Sequence, residues 1–132
     1  MFDKIRKLDN DKETAGVWFQ FDDEISFKIA KWESPTWSLE MLVLLKPFQQ
    51  KLQRGKELEL GVYSDILNKV TAKTVLLDWK GLDEEYSFEN AMKLLESEEL
   101  KHVKEEILKF SQNLSNFYQD RVQEGVDQAK KL

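Results

Sequence analysis

The chain contains no cysteine, a single histidine and no long run of consecutive apolar residues. Without cysteine, a disulfide framework, a thiolate metal site and a cysteine nucleophile are all excluded. The longest apolar run, Met41 to Leu45, is far too short to span a bilayer, so we expect no membrane partner. Residues 1–12 are charged and lack an apolar run, so we expect no secretory signal there.

The single histidine also limits metal binding. Glu99 and His102 are three residues apart, which would place both side chains on one helix face. Iron sites in helical bundles need two such pairs and two further carboxylates. We therefore predict a solvated helix face, with no metal site and no cofactor.

Sequence motifs of catalysis are missing as well. The chain has no glycine-rich phosphate loop, serine elbow or zinc-ligand spacing. Acids cluster at 22–24 and 83–85 without the spacing of a calcium loop, so we interpret both clusters as solvated turns. Asp78 beside Trp79 could be a carboxyl of raised pKa, but we favour a core role for Trp79 and a local cap for Asp78. The sequence thus predicts no catalytic residue and no enzyme activity.

The residues that are present suffice for one folded domain. Of 132 residues, 41% are hydrophobic and 11% aromatic, which is enough to build a core at this length. Charged residues make up 34% and the formal net charge is -5, with lysines interleaved among acids. Phosphate backbones require clustered positive charge, so nucleic acid is excluded as an expected partner and protein partners are favoured.

Residues 16–32 alternate between apolar and polar side chains, with a polar turn in the middle. This pattern predicts a β-hairpin of two amphipathic strands. A lone hairpin is marginal in water, so its apolar face should lie on the helices that follow. The alternative is an exposed edge that pairs with another copy or with a partner.

Apolar residues then recur at helical spacing from about residue 35 to 117. Ser34 and Pro35 favour a helix start, and Pro47 predicts a kink or break before Gly55 ends the element. A second helical stretch covers 57–77, and its last residues could remain helical or become extended chain.

Two capped helices complete the predicted bundle. Ser87 is expected to cap a short helix over 88–95, and Ser97 to start the last helix. The predicted fold is therefore α+β and mostly α-helical, with an N-terminal β-hairpin packed on a bundle of four or five helices. We expect residues 1–118 to form a single globular domain and 119–132 to form a polar tail that is helical or frayed.

Trp18, Trp32 and Trp37 crowd one region of the chain. Tryptophan is frequent in interface hot spots and in cores. Trp18 falls on the strand face opposite Phe19, among polar positions, which makes it the best single candidate for an exposed contact. We predict all three tryptophans as protein-binding residues, with core packing as the alternative.

Three segments carry a likeness to a known family. They are MFDKIRKL at 1–8 leading to GVWF at 16–19, VLLDWKGL at 75–82, and YSFENA at 86–91 followed by leucines 94 and 95. Together they resemble the small tail assembly chaperones of tailed phages and prophages. The chain departs from that pattern after the Asp-Trp pair, where the family often has a glycine and this chain has the acids 83–85.

The resemblance implies a non-enzymatic chaperone in the cytoplasm of the bacterial host cell. Such a protein would bind the long, helical tape-measure protein during tail morphogenesis and be absent from the mature virion. The tail-tube protein and further copies of the chain are candidate additional partners. The alternatives are a structural tail or connector component that stays in the particle, and an acidic antitoxin or immunity-type binding protein.

Overall fold

The computed structural model describes residues 1–120 and confirms an α+β fold that is mostly helical. The predicted tail 119–132 lies, apart from its first two residues, outside the described part. Two 3₁₀ turns, Lys46–Phe48 and Leu114–Asn116, supplement the regular elements. In chain order these elements are α1 (Asn10–Ala15), β1 (Val17–Gln20), β2 (Ser26–Ile29), α2 (Pro35–Leu45), α3 (Gln49–Gln53), α4 (Leu60–Thr74), β3 (Leu76–Lys80), α5 (Phe88–Glu96) and α6 (Lys101–Gln112).

The predicted hairpin is confirmed, and a third strand joins it. Strands β1 and β2 pair antiparallel from Val17 opposite Ile29 to Gln20 opposite Ser26. Strand β3 pairs antiparallel with the other edge of β2, which gives the sheet order β1-β2-β3. The end of the stretch 57–77 is therefore extended from Leu76 onward, which settles the alternative that apolar periodicity left open.

The apolar face of the sheet packs on the helices. Phe27 and Ile29 on β2 and Trp79 on β3 are buried with residues of α4, α5 and α6. The ring of Phe19 on β1 lies 4.9 Å from that of Phe110 on α6. The hairpin is thus held by the helices, as a marginal two-stranded unit requires.

Trp79 is a core residue, as predicted. Its indole Nε1 donates to the Glu84 carbonyl oxygen at 2.8 Å, and its ring meets Tyr86 edge to face at 5.1 Å. The Tyr86 hydroxyl donates to the carbonyl oxygen of Leu76 at 2.7 Å. Asp78 Oδ1 accepts from the Trp79 amide at 2.8 Å, which is the predicted local cap.

One helix that was not predicted and one helix start differ from the predictions. Residues 10–15 of the charged N-terminal segment form α1, whose first turn is capped by Asp9. This helix is six residues long and has no apolar stripe, so periodicity could not reveal it. The prediction that Ser97 starts the last helix is wrong: Ser97 is extended and follows the end of α5, and α6 begins at Lys101.

The proline break is confirmed. Helix α2 ends at Leu45, and a 3₁₀ turn containing Pro47 separates it from α3. Proline lacks the amide that would continue the helical ladder, so the α-helix gives way to a 3₁₀ turn there. Gly55 follows the end of α3 with a positive φ of 74°, as expected for a helix terminator.

Gly81 and Gly61 provide a matched pair for testing the fold. Gly81 has a φ of 88°, and an added Cβ would overlap the Glu24 carbonyl oxygen. We therefore expect Gly81→Ala to lower the free energy of unfolding by about 2 kcal/mol or more. Gly61 lies in α4 with open space around it, so Gly61→Ala should raise that energy by roughly 0.5–1 kcal/mol. Urea denaturation of both variants checks this, and equal effects would contradict the structure.

Tyr86 should make stability fall at alkaline pH. Burial, and secondarily the negative charge of Asp78, raise the pKa of the Tyr86 hydroxyl above its usual 10.0. The unfolded chain then loses this proton first, so the stabilisation is complete below about pH 10 and is lost as pH rises through the folded pKa. In urea titrations from about pH 9 to 11, Tyr86→Phe should show a smaller loss of unfolding free energy than wild type. Tyr63→Phe, at an exposed tyrosine, is the control, and parallel curves for the two variants would refute the assignment.

Candidate protein-binding surface

Helix α2 presents an apolar face to solvent. Its leading serine, Ser34, accepts from the Trp37 amide at 3.2 Å, and Pro35 occupies the first turn. None of its eleven residues is buried. Leu39, Leu42 and Val43 are 66%, 66% and 62% exposed and share one side of the helix at spacings of three and four. We call these three residues the α2 face.

The opposite side of α2 attaches the helix to the domain. The rings of Trp32 and Trp37 lie 5.1 Å apart and pack on the buried core. Glu40 Oε1 lies 3.1 Å from Lys73 Nζ on α4, which forms an ion pair between the two helices. Because the helix is held from this side, the α2 face has a fixed orientation toward solvent.

Exposed apolar side chains are concentrated near this helix. Twelve large hydrophobic side chains among residues 1–120 are exposed, and six of them fall between positions 39 and 63. Besides the α2 face, they are Leu52, Leu60 and Tyr63. Three of the six share one side of α2, and such a group of exposed apolar side chains commonly marks a protein-interaction site, so the α2 face is the strongest candidate in the described chain.

The three predicted tryptophans occupy two different environments. Trp18 is 39% exposed on the solvent side of the sheet, where Lys80 Nζ lies 4.2 Å from its ring centroid. Trp32 and Trp37 are only partly exposed and support the base of α2. The structure therefore pairs Trp32 with Trp37 and places Trp18 on the sheet. Their predicted role in partner binding remains a prediction.

Sequence reasoning did not single out the α2 face. The signal was present, because residues 39–45 are apolar on every side of the helix except at Glu40. A helix that is apolar all round is usually buried, so the exposed side could not be chosen without the tertiary structure.

A concave feature lies between the sheet and helices α5 and α6. This cleft has a volume of about 500 Å³ and a mainly apolar lining that includes Phe21, Leu82 and Val103. Asp83 and Lys93 also line it. Its chemistry suits an apolar side chain of a bound peptide rather than a charged substrate.

No group of three or more histidine or acidic side chains in residues 1–120 is arranged to hold a metal ion. The Lys12 ammonium, 2.7 Å away, lowers the pKa of the Asp120 carboxyl through a hydrogen bond and its charge. No helix in this part of the chain is long and apolar enough to cross a membrane.

Comparison with known proteins finds one family. A family model described as YdaY prophage protein matches residues 34–128, well over half of the chain. The match begins at the serine that caps α2 and continues beyond α6. Neither the curated proteins nor the solved structures contain a match.

The α2 face can be distinguished from the core by substitution. Leu42→Gln replaces an exposed side chain with one of similar helix propensity, so we expect the free energy of unfolding to change by no more than about 0.5 kcal/mol. Leu95 on α5 is 3% exposed, and Leu95→Ala should cost about 2–5 kcal/mol. A large loss for Leu42→Gln in urea denaturation would show that the α2 face is part of the core.

Proposed function

Because this chain belongs to the YdaY prophage protein family, we propose that it is a non-enzymatic tail assembly chaperone that binds the tape-measure protein during phage tail morphogenesis. In this proposal it acts in the cytoplasm of the host cell and is absent from the mature virion. The tail-tube protein is a second partner. The family supports a prophage protein, and the finer role is supported by the likeness of residues 1–8, 75–82 and 86–91 to tail assembly chaperones.

The observation that carries the proposal is the exposed α2 face. Leu39, Leu42 and Val43 have the spacing at which one helix covers the apolar stripe of another. A long helical client needs such cover until its final partners assemble around it. A domain that leaves three large aliphatic side chains in water, on a helix attached to the domain through its other side, is suited to that task.

The size of the surface favours many copies on one client. Helix α2 has eleven residues and is therefore about 16 Å long, which matches only two to three turns of a partner helix. One such contact is weak, but several copies along a long client act together through avidity. Contacts between neighbouring copies would strengthen the array, which is the role we assign to self-association.

Affinity capture with matched variants tests the proposal. The tagged chain is co-expressed with the tape-measure protein of the same prophage. We expect the client to be soluble and recovered with wild type, and its recovery to fall at least tenfold with Leu39→Glu/Leu42→Glu, because burying carboxylates against an apolar stripe is unfavourable. Leu114→Glu changes an exposed leucine outside the surface and is the control. Trp18→Ala, with the fold checked by circular dichroism, should weaken recovery if Trp18 is a contact residue.

The competing roles give different results. Equal recovery by wild type and the α2 double variant would remove the α2 face from the proposal, and unchanged recovery by Trp18→Ala would remove Trp18. Capture of only tail-tube or connector proteins, with the chain present in purified virions, would favour a structural component. Capture of one small basic protein in a one-to-one complex would favour the antitoxin or immunity alternative.

A further inference from the structure

A small basic cleft lies at the end of α3, next in the chain to the α2 face. It has a volume of about 320 Å³ and is lined by Pro47, Phe48, Gln50, Lys51, Arg54 and Lys56. Three of its six lining residues are cationic and none is acidic. A cleft of this composition attracts carboxylates or other anions.

The backbone fixes the position of these cations. The Lys56 amide donates to the Lys51 carbonyl oxygen at 3.1 Å, and the Gly55 amide donates to the Leu52 carbonyl oxygen at 3.0 Å. This pair of hydrogen bonds is a Schellman motif, and Gly55 supplies the positive φ that it requires. Lys51, Arg54 and Lys56 are thereby gathered around the end of one short helix.

The charge of this segment is opposite to that of the whole chain. Residues 41–56 contain four cations and no acid, although the formal net charge is -5. In the described part of the chain, none of these four cations lies within ion-pair distance of an acidic side chain. The exposed apolar side chains of α2 are thus followed in the chain by cations that form no ion pair among the described residues.

The α2 face, Lys46 and the residues of the basic cleft follow one another along the chain, and we call them together the strip. Lys46 follows Val43 by three residues and Leu42 by four, so it extends the α2 face by one turn toward the basic cleft. A ligand lying along the strip would meet the aliphatic side chains first and the cations next. Aliphatic side chains followed by cations are complementary to an amphipathic helix that carries acidic residues beside or beyond its apolar stripe.

We propose that the α2 face and the basic cleft together bind an acidic amphipathic helix of a partner protein, with its apolar stripe on Leu39, Leu42 and Val43 and its carboxylates on Lys51, Arg54 and Lys56. The inference rests on the proposed use of the α2 face but names a partner chemistry that does not depend on which protein supplies the helix. The Arg54 guanidinium can bind one carboxylate through two parallel hydrogen bonds.

The shape of the charge distribution favours a helix over a membrane. Glu33 precedes α2, and Glu57 and Glu59 follow the basic cleft; all three are exposed. An anionic bilayer is an extended plane, so it would meet these acids together with the cations. A helix only about 10 Å wide can lie on the strip and avoid them.

A second copy of the chain is a poorer occupant. Helix α6 carries the exposed glutamates Glu105 and Glu106 together with three lysines, and its apolar residues Val103 and Ile107 are buried in its own core. Helix α5 likewise buries Leu94 and Leu95. Among the described helices, α4 has exposed Leu60 and Tyr63 beside Asp65, but it exposes only those two large apolar side chains, so we infer that a partner supplies the longer apolar stripe.

Two synthetic helical peptides test the partner chemistry directly. Both have roughly 20 residues and the same leucine stripe, flanked by glutamates in one and by lysines in the other. Fluorescence anisotropy with the full chain should give a Kd at least about tenfold lower for the glutamate peptide, since several cations face its carboxylates. The difference should shrink as NaCl is raised, because salt screens exposed charges.

Charge reversal locates the effect. Lys51→Glu/Arg54→Glu should abolish the preference for the glutamate peptide, and Leu42→Gln should weaken both peptides. The control, Lys101→Glu/Lys109→Glu, makes the same change in net charge at two exposed lysines outside the strip and should keep the preference.

Each other outcome overturns the inference. This holds if neither peptide binds, if the lysine peptide binds as well as the glutamate peptide, or if the control variant loses the preference equally. Tighter binding to phosphatidylserine-containing vesicles than to the glutamate peptide would assign the strip to a membrane. Self-association that Lys51→Glu/Arg54→Glu abolishes would assign it to a second copy. If the peptides behave as expected but the tape-measure protein is not captured, only the proposed function fails. If the tape-measure protein is captured but the glutamate peptide is not preferred, the inference fails, and the proposed function then depends on the apolar α2 face alone.

Discussion

Phe27 and Trp79 lie opposite each other on β2 and β3, and their rings meet edge to face with centroids 6.5 Å apart. Both are almost completely buried. The contact joins β2 of the hairpin to β3, the strand that follows α4. The chain between these two strands, which includes α2, α3 and α4, therefore has its two ends held together by this pairing. Tyr86 and the turn at Glu84 then fix Trp79 from its other side. The core therefore consists of the sheet with α4, α5 and α6.

The closed core accounts for the exposed position of α2. Helix α2 is attached through Trp32, Trp37 and the ion pair between Glu40 and Lys73. These contacts occupy one side of a helix that is apolar on nearly all sides. The remaining aliphatic side chains face water, where they lower solubility unless something covers them. We propose that this exposed apolar face, followed by a locally basic segment of an acidic protein, is a site for another macromolecule.

Local chemistry predicted much of this fold from the sequence. Alternation over residues 16–32 indicated the hairpin, Ser87 marked the start of α5, and Pro47 marked the break after α2. The last helix was misplaced because Ser97 has the character of a cap but occupies the extended end of α5. Helix α1 was missed because a capped, polar helix of six residues carries no periodic signal.

The candidate site was less accessible to sequence reasoning. Which side of an apolar helix faces solvent depends on where the core closes, and that is set by contacts distant in the chain such as Phe27 with Trp79. The basic segment 41–56 was visible in the sequence, but the interleaved charges of the whole chain masked it. Its grouping into a cleft required the Schellman motif at Gly55, which only the backbone geometry reveals.

Hydrogen exchange of the chain, alone and mixed with the tape-measure protein of its own prophage, tests the central claim most directly. Backbone amides of residues 35–45 are the reporters, since α2 is attached to the domain on one side only. Our account predicts that the client slows their exchange strongly, with smaller effects through residues 46–56 and none on the solvent side of the sheet. Protection confined to the sheet around Trp18, or to the cleft lined by Leu82 and Val103, would contradict it.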